Sequence, residues 1–231
     1  MASVSRKLSG IVAALVFACV GVGHALAMNF RLVPLALGKS CGHQCPKVIA
    51  AEGEIEGDTA ARFVGFLSSH RHDSALRSVV LLNSPGGSVE GSIKLGLVMR
   101  RLHMATIVAR AVPVGAQGSN QLVSGRCYSA CVYAFMGGSK RVLPRGSIAG
   151  IHRAYIPAVG PDPVGHAIPR AHRGPRASVN PDVAALAIAR YSRRMGISLD
   201  LLRTAERVSP ASIHIVTPRE ARAWHLAVSK F

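Results

Sequence analysis

From residue 47 onward, short apolar runs alternate with stretches whose apolar positions recur every three to four residues. KVIAAEGEI (47–55) reads as a strand that ends in a turn. In TAARFVGFLSSH (59–70), Phe63, Val64, Phe66 and Leu67 suit one face of a helix. LRSVVLLN (76–83) is short and continuously apolar, the pattern of a buried parallel strand. It stops abruptly at SPGGS (84–88). VEGSIKLGLVMRRLH (89–103) then predicts a helix with Val89, Ile93, Leu97 and Met99 on its buried face. ATIVARAV (105–112) reads as a further strand. YSACVYAFMGG (128–138) reads as a helix stopped by Gly137 and Gly138, and SIAGIHRAY (147–155) as a strand that runs out into a loop.

The pattern breaks from Ile156 to Pro181, where prolines and glycines recur with His and Arg. That composition predicts an exposed excursion from the domain. Order returns with PDVAALAIARYSRRMG (181–196), whose proline suits a first helical turn, and with SLDLLRTAERV (198–208), which opens on a Ser cap. ASIHIV (211–216) reads as a strand, and Thr217, Pro218 and Glu220 form a helix start signal. No internal repeat is visible. Strands that alternate with helices imply parallel pairing and right-handed crossovers, so the expected class is α/β.

The first residues belong to a different logic. Arg6 and Lys7 precede the apolar LSGIVAALVFACVGVG, and ALA (25–27) offers small residues at the positions a signal peptidase reads. The expectation is a secretory signal over residues 1–27, against the alternative of a retained anchor. Residues 28–48 form a Cys-containing segment, and 49–231 the main domain. Export leaves four cysteines, Cys41, Cys45, Cys127 and Cys131, in an oxidising compartment. An even number there favours disulfides over a zinc site, and four cysteines allow three pairings.

The chain of 231 residues has a formal charge of +17, from 28 Lys plus Arg against 11 Asp plus Glu. Such a balance suits anionic surfaces, and weak association with an anionic envelope is one consequence. Nucleic acid fits poorly: aromatics are only 5% of residues, and no basic stripe is interleaved with them. The paired His70 and His72 precede Asp73 in a polar turn and read as solvated, so no metal is expected. No nucleotide or flavin motif is present, and no cofactor is expected.

Three pieces carry candidate chemistry. In LLNSPGGSVEGS (81–92) a buried strand delivers Gly86 and Gly87 to a helix start, where unobstructed backbone N–H groups suit an oxyanion. A tight strand-to-helix turn explains the glycines equally well. Ser129 stands just inside the expected helix start, where a small packing residue is the ordinary reading. His152 follows 23 residues later at a strand end. A serine hydroxyl needs a base to become a nucleophile, and His is the usual one near neutral pH.

In this order and spacing, NSPGG, the serine segment and RVLPRGSIAGIH (141–152) resemble the proteolytic subunit of Clp protease, and more narrowly exported ClpP-like proteins of the ClpP/crotonase superfamily. The similarity runs from about Ile49 to Val228. It implies a spiral of repeated β-β-α units with mostly parallel strands, a peptide or protein substrate, and a homo-oligomer. By the same resemblance Ser129 matches the nucleophile and His152 the base. Gly86, with Gly87, and Ala130 match the oxyanion donors. The family's third member, an aspartate, counts back to Val208 or Ser209, and neither is acidic. Ser209, Glu206 or a backbone carbonyl is left to orient His152, or the site is degenerate and the fold serves as a scaffold. Signal peptide peptidase A shares the SPGGSV stretch but uses a lysine base, and neither Lys94 nor Lys140 has an obvious match here.

Overall fold

The computed structural model describes residues 26–35, 45–114, 119–154 and 181–228. Its larger sheet has the order β1 (Asn29–Pro34), β2 (Lys47–Glu52), β3 (Leu76–Asn83), β4 (Ala105–Val114) and β5 (Ser119–Ser124), with β7 (Arg141–Val142) also paired to β4. The pairs β2–β3, β3–β4 and β4–β7 are parallel; β1–β2 and β4–β5 are antiparallel. A smaller sheet holds β6 (Arg126–Tyr128), β8 (Ile148–Ile151) and β9 (His214–Ile215), with β6 and β8 parallel. One bridge, Ser84 to Cys127, joins the end of β3 to β6. The class is α/β, as the alternation implies, with parallel pairs at its centre.

Among the described residues six helices flank these strands: α1 (Thr59–Ser69), α2 (Val89–Arg101), α3 (Cys131–Met136), α4 (Pro181–Arg194), α5 (Asp200–Glu206) and α6 (Pro218–Ala223). The start of α6 is as read from sequence: Thr217 Oγ1 accepts from the Glu220 N–H, and the Glu220 carboxylate accepts from the Thr217 N–H.

Two helix faces differ from expectation. On α1, Phe63 is fully buried but Val64 is 47% exposed, with Phe66 and Leu67 only half-buried. On α2, Val89, Ile93 and Leu97 are half-buried, while Gly91, Ser92, Leu95, Gly96 and Met99 face inward. Apolar periodicity undervalues small residues. Here a Cβ on Gly137 would run into the backbone of Gly96, and a Cβ on Gly96 would run into the Tyr191 hydroxyl. That hydroxyl donates to the Tyr133 carbonyl at 2.7 Å.

β1, β5, β6 and β7 were not legible as strands. β5 (SNQLVS) is polar, β7 has two residues and β6 three, too few for a period to register. The expected helix from Tyr128 begins instead at Cys131, and the strand expected over 147–155 ends at Ile151. Most of the expected signal segment, Cys41, and nearly all of the 156–181 excursion lie outside the described residues. Among the described residues no helix is long and apolar enough to cross a membrane.

Candidate active site

The loop after β3 has a job for almost every residue. The Asn83 carboxamide oxygen accepts the Arg126 N–H at 3.1 Å, fixing β3 against the start of β6. Ser84 continues the join: its N–H donates to Arg126 O at 2.8 Å, and its carbonyl accepts from the Tyr128 N–H at 3.1 Å. The Ser84 hydroxyl, buried, accepts the Gly86 N–H at 3.1 Å. Gly86 and Gly87 have φ of 112° and 126°, values that a side chain makes costly. The Gly86 carbonyl accepts from Ile55 N–H at 2.8 Å, and Ser88 N–H donates to Ile55 O at 2.7 Å. Ser88 then caps α2 by accepting the Gly91 N–H.

This pinned loop lies directly against Ser129. A Cβ added to Gly86 would stand 2.9 Å from Ser129 Cβ, 2.8 Å from Tyr128 O and 3.2 Å from Ala130 N. Ser129 itself is not inside a helix. It occupies a turn between β6 and α3, with φ of 54°, one of three non-glycine residues of positive φ in the described chain. Ala130 is already right-handed, at φ −56° and ψ −26°. The sharp change of hand at Ser129 lifts a residue out of a strand before a helix begins, the arrangement that exposes a hydroxyl at a strand-to-helix elbow.

The strand that carries the histidine is tied to the same turn. Tyr128 lies opposite Gly150 across the parallel β6–β8 pair, and Ser129 N–H donates to Gly150 O at 2.8 Å. His152 follows two residues further on, just past the end of β8, and is half-buried. Its Nδ1 lies 2.8 Å from the carbonyl oxygen of Arg153. A carbonyl can only accept, so Nδ1 carries a proton, and in the neutral ring Nε2 presents its lone pair. No hydrogen bond joins Ser129 Oγ to His152 among the described residues.

The sequence-based candidates for a third member lie elsewhere. Ser209 is exposed, and its hydroxyl accepts from Ala211 N–H at 3.3 Å, inside its own turn. Glu206 is exposed at the end of α5, and its charge acts on the buried Tyr133 phenol, which burial foremost pushes up to about 12. The segment does reach the histidine through the backbone, because Arg153 N–H donates to Val208 O at 3.0 Å.

Among the oxyanion candidates, the Gly86 N–H already serves Ser84. The N–H groups of Gly87 and Ala130 have no acceptor among the described residues. Cys127, the middle residue of β6, is disulfide-bonded to Cys131, the first residue of α3, and Cys45 is disulfide-bonded as well. At the other end of α3 the terminal carbonyls are met by two guanidinium groups. Arg100 donates to Met136 O and Gly137 O, and Arg141 to Gly138 O. Burial lowers Arg141 to about 10, which leaves it charged at neutral pH. Sequence reasoning missed Asn83 and Ser84, for which the polar NS before PGG is a signal. It allowed a backbone carbonyl as the partner of His152 but had no signal for which one; the structure places Arg153 O there.

An open groove of about 460 Å³, lined by Asn83, Arg110, Ser124, Arg126 and Ile148 among others, lies at the opposite end of the β6–β8 pair from Ser129. Its lining is polar and basic, and it adds nothing to the Ser129 turn. Among the described residues no group of three or more metal-ligating side chains converges.

No family model matches the chain, and no curated protein matches it. Among solved structures, it is similar to the 1510-N membrane-bound stomatin-specific protease as a serine-to-alanine mutant. The identity is 17% over 77% of this chain and 76% of that one, with a TM-score of 0.44. It is also similar to a lysine-to-alanine mutant of the same protease in complex with a substrate peptide, at 18% identity over 80% of this chain and 74% of that one, with a TM-score of 0.45. TM-scores of this size carry neither a mechanism nor a site from one chain to another.

Proposed function

We propose that the chain is a ClpP-like serine hydrolase acting on peptides or proteins, with Ser129 as nucleophile and His152 as base. The observation that carries this reading is the left-handed Ser129, held between the Gly86 loop and the carbonyl of Gly150 on the strand that leads to His152. A non-glycine residue in that conformation persists only where its surroundings impose it, and such residues cluster at working sites.

In this mechanism His152 Nε2 takes the Ser129 proton as Oγ attacks the scissile carbonyl carbon. The carbonyl π bond opens, and the resulting oxyanion is met by the N–H groups of Gly87 and Ala130. His152 then returns the proton to the leaving amine, and water hydrolyses the acyl-enzyme by the same route reversed. The Arg153 carbonyl does part of the usual carboxylate's work: it holds the ring in the tautomer with Nε2 free. It supplies no full negative charge to stabilise the imidazolium, so the hydrolase is slow compared with one that has a full triad. Closing the Ser129–His152 contact needs an adjustment of either side chain, which substrate binding supplies.

The same proposal has the protein act outside the cytoplasm after signal removal, as a homo-oligomer whose basic surface associates weakly with the anionic envelope. The second reading, a scaffold with a degenerate site, is favoured by the unengaged Ser129 and His152 and by the missing carboxylate. Fluorophosphonate labelling separates the two. The hydrolase reading expects covalent modification of Ser129 in the wild type and none in Ser129→Ala. An unlabelled wild type, or equal labelling of both proteins, overturns it.

A further inference from the structure

The local sequence and the tertiary structure disagree at Ser129. Taken alone, YSACVYAF favours a helix beginning near Tyr128, and Ala130 already has helical dihedrals. A helical Ser129 would simply extend α3 toward its N-terminus through Ala130. It is left-handed instead, a conformation disfavoured for residues other than glycine. Something must oppose the relaxation.

Three restraints surround the turn. Behind it, Ser129 N–H is bonded to Gly150 O. In front, Gly86 approaches so closely that a Cβ there would stand 2.9 Å from Ser129 Cβ. Across it, the Cys127–Cys131 disulfide ties the strand that enters the turn to the helix that leaves it, with Ser129 midway between the two sulfurs in sequence. Cys127 is itself fixed by pairing with Ala149 on β8 and by the bridge to Ser84. The disulfide is the only covalent member of the three.

Its position is poor for holding the whole domain together. The stabilisation a cross-link gives by constraining the unfolded chain grows with the length of loop it closes, and a sequence separation of four is close to the minimum. Its position is also poor for sensing redox conditions, because both cysteines are 0% exposed and a reductant cannot reach them in the folded protein. What a permanent, buried, five-residue staple can do is set the conformation of the residue at its centre.

We infer that the Cys127–Cys131 disulfide is a positioning element of the nucleophile turn: it keeps Ser129 left-handed and the Ala130 N–H presented to the oxyanion. This rests on the hydrolase reading of Ser129 and assigns the two cysteines a role in the rate of acylation. Without the bridge, Ser129 relaxes toward the helix, Oγ leaves its line of attack and the Ala130 donor is displaced.

The test compares one chain with and without the bridge. The purified protein is refolded from its reduced, dithiol form. Half is kept under reductant. Half is instead refolded in the presence of glutathione disulfide, which reacts with the thiols before they are buried, forms the cystine and releases two glutathione thiols. Fluorophosphonate labelling then gives the maximal inactivation rate and the inhibitor's half-saturating concentration, and hydrogen exchange is followed in peptides covering 126–136 and 76–83. Oxidation is expected to raise the maximal rate by about a hundredfold to a thousandfold, the scale of a lost oxyanion donor, with the half-saturating concentration within twofold. Exchange should slow over 126–136 and stay unchanged over 76–83. A C127A/C131A protein should match the dithiol form, and Cys45→Ala, which removes only the other disulfide, should match the oxidised form.

Equal maximal rates and equal exchange in the two forms overturn the inference. So does exchange that changes by the same factor in both peptides, which would make the bridge a global staple. If the oxidised wild type is not labelled at all, the hydrolase reading falls, and the exchange at 126–136 against 76–83 still decides whether the bridge positions the turn.

Discussion

The N–H of Ser129 donates to the carbonyl of Gly150 at 2.8 Å. That single bond ties the candidate nucleophile to the strand of the candidate base. Because β6 and β8 are parallel, with Tyr128 opposite Gly150, Ser129 and His152 leave the small sheet at the same end. Residues 23 apart in sequence are thus brought to the same end of two neighbouring strands.

Ser129→Gly should separate stability from function. Glycine adopts positive φ freely, whereas a left-handed side-chain-bearing residue costs about 1–2 kcal/mol, offset in part by glycine's greater chain entropy, about 0.5–1 kcal/mol. The variant is expected to unfold at the same or a slightly higher temperature than wild type and to lose fluorophosphonate labelling entirely. A clear loss of stability in thermal unfolding would show that Ser129 is not conformationally burdened.

Gly86→Ala should damage the site from the other side. The added Cβ meets Tyr128 O, Ser129 Cβ and Ala130 N, all at 3.2 Å or less, and φ of 112° is itself unfavourable for alanine. A destabilisation of about 1–3 kcal/mol is expected, read by denaturant unfolding, together with loss of labelling. Gly57→Ala, where a Cβ meets nothing within 4 Å, serves as the control. Wild-type labelling by the Gly86 variant would mean the loop does not support the turn.

Ser209→Ala tests which group orients His152. The hydroxyl of Ser209 caps its own turn at Ala211, and the Arg153 carbonyl already meets His152 Nδ1. Labelling rates of Ser209→Ala and Glu206→Gln should stay within about twofold of wild type. Removing a true triad carboxylate instead lowers the rate by about 10⁴. A drop of tenfold or more in either variant would transfer the orienting role to that side chain.

Acid should loosen α6 through Glu220. Burial by itself would raise this carboxyl, but hydrogen bonds from the Thr217 N–H and hydroxyl and from His214 hold it below its ordinary value of 4.5. A depressed carboxylate contributes stability that is fully present above 4.5 and is lost as pH falls through the lower folded-state value. Glu220→Ala is expected to cost about 1 kcal/mol at neutral pH. The gap to wild type in thermal unfolding should close as pH is lowered below the carboxylate range. A gap that persists unchanged in strong acid would assign the cost to packing.

Particular residues show where the reading of the sequence was complete and where it fell short. Thr217, Pro218 and Glu220 announced α6 because a capping box is built from neighbours in sequence. NSPGGS announced a turn from a buried strand into a helix for the same reason. The buried face of α2 was misread because Gly91, Ser92 and Gly96 carry no hydrophobic signal; Gly91 is buried against the backbone of Glu56, and Gly96 against α3 and Tyr191, all distant in sequence. For His152, the partner is the backbone of Arg153, and a carbonyl is the same whatever side chain accompanies it.

The sequence by itself determined the α/β alternation, the glycine turn after β3, and Ser129 and His152 as the residues to examine. The first two depend on local periodicity and turn chemistry; Ser129 and His152 stood out through the order and spacing of the segments that resemble ClpP-like proteins. The tertiary structure decided that Tyr128 ends a strand and does not open a helix, and that Ser129 is left-handed. It also decided that Cys127 pairs with Cys131 and that Gly86 has no free N–H to offer. These depend on pairings between 84 and 127 and between 128 and 150, which no local pattern encodes. Where local preference favoured a helix at Ser129, the long-range bonds and the disulfide imposed a turn.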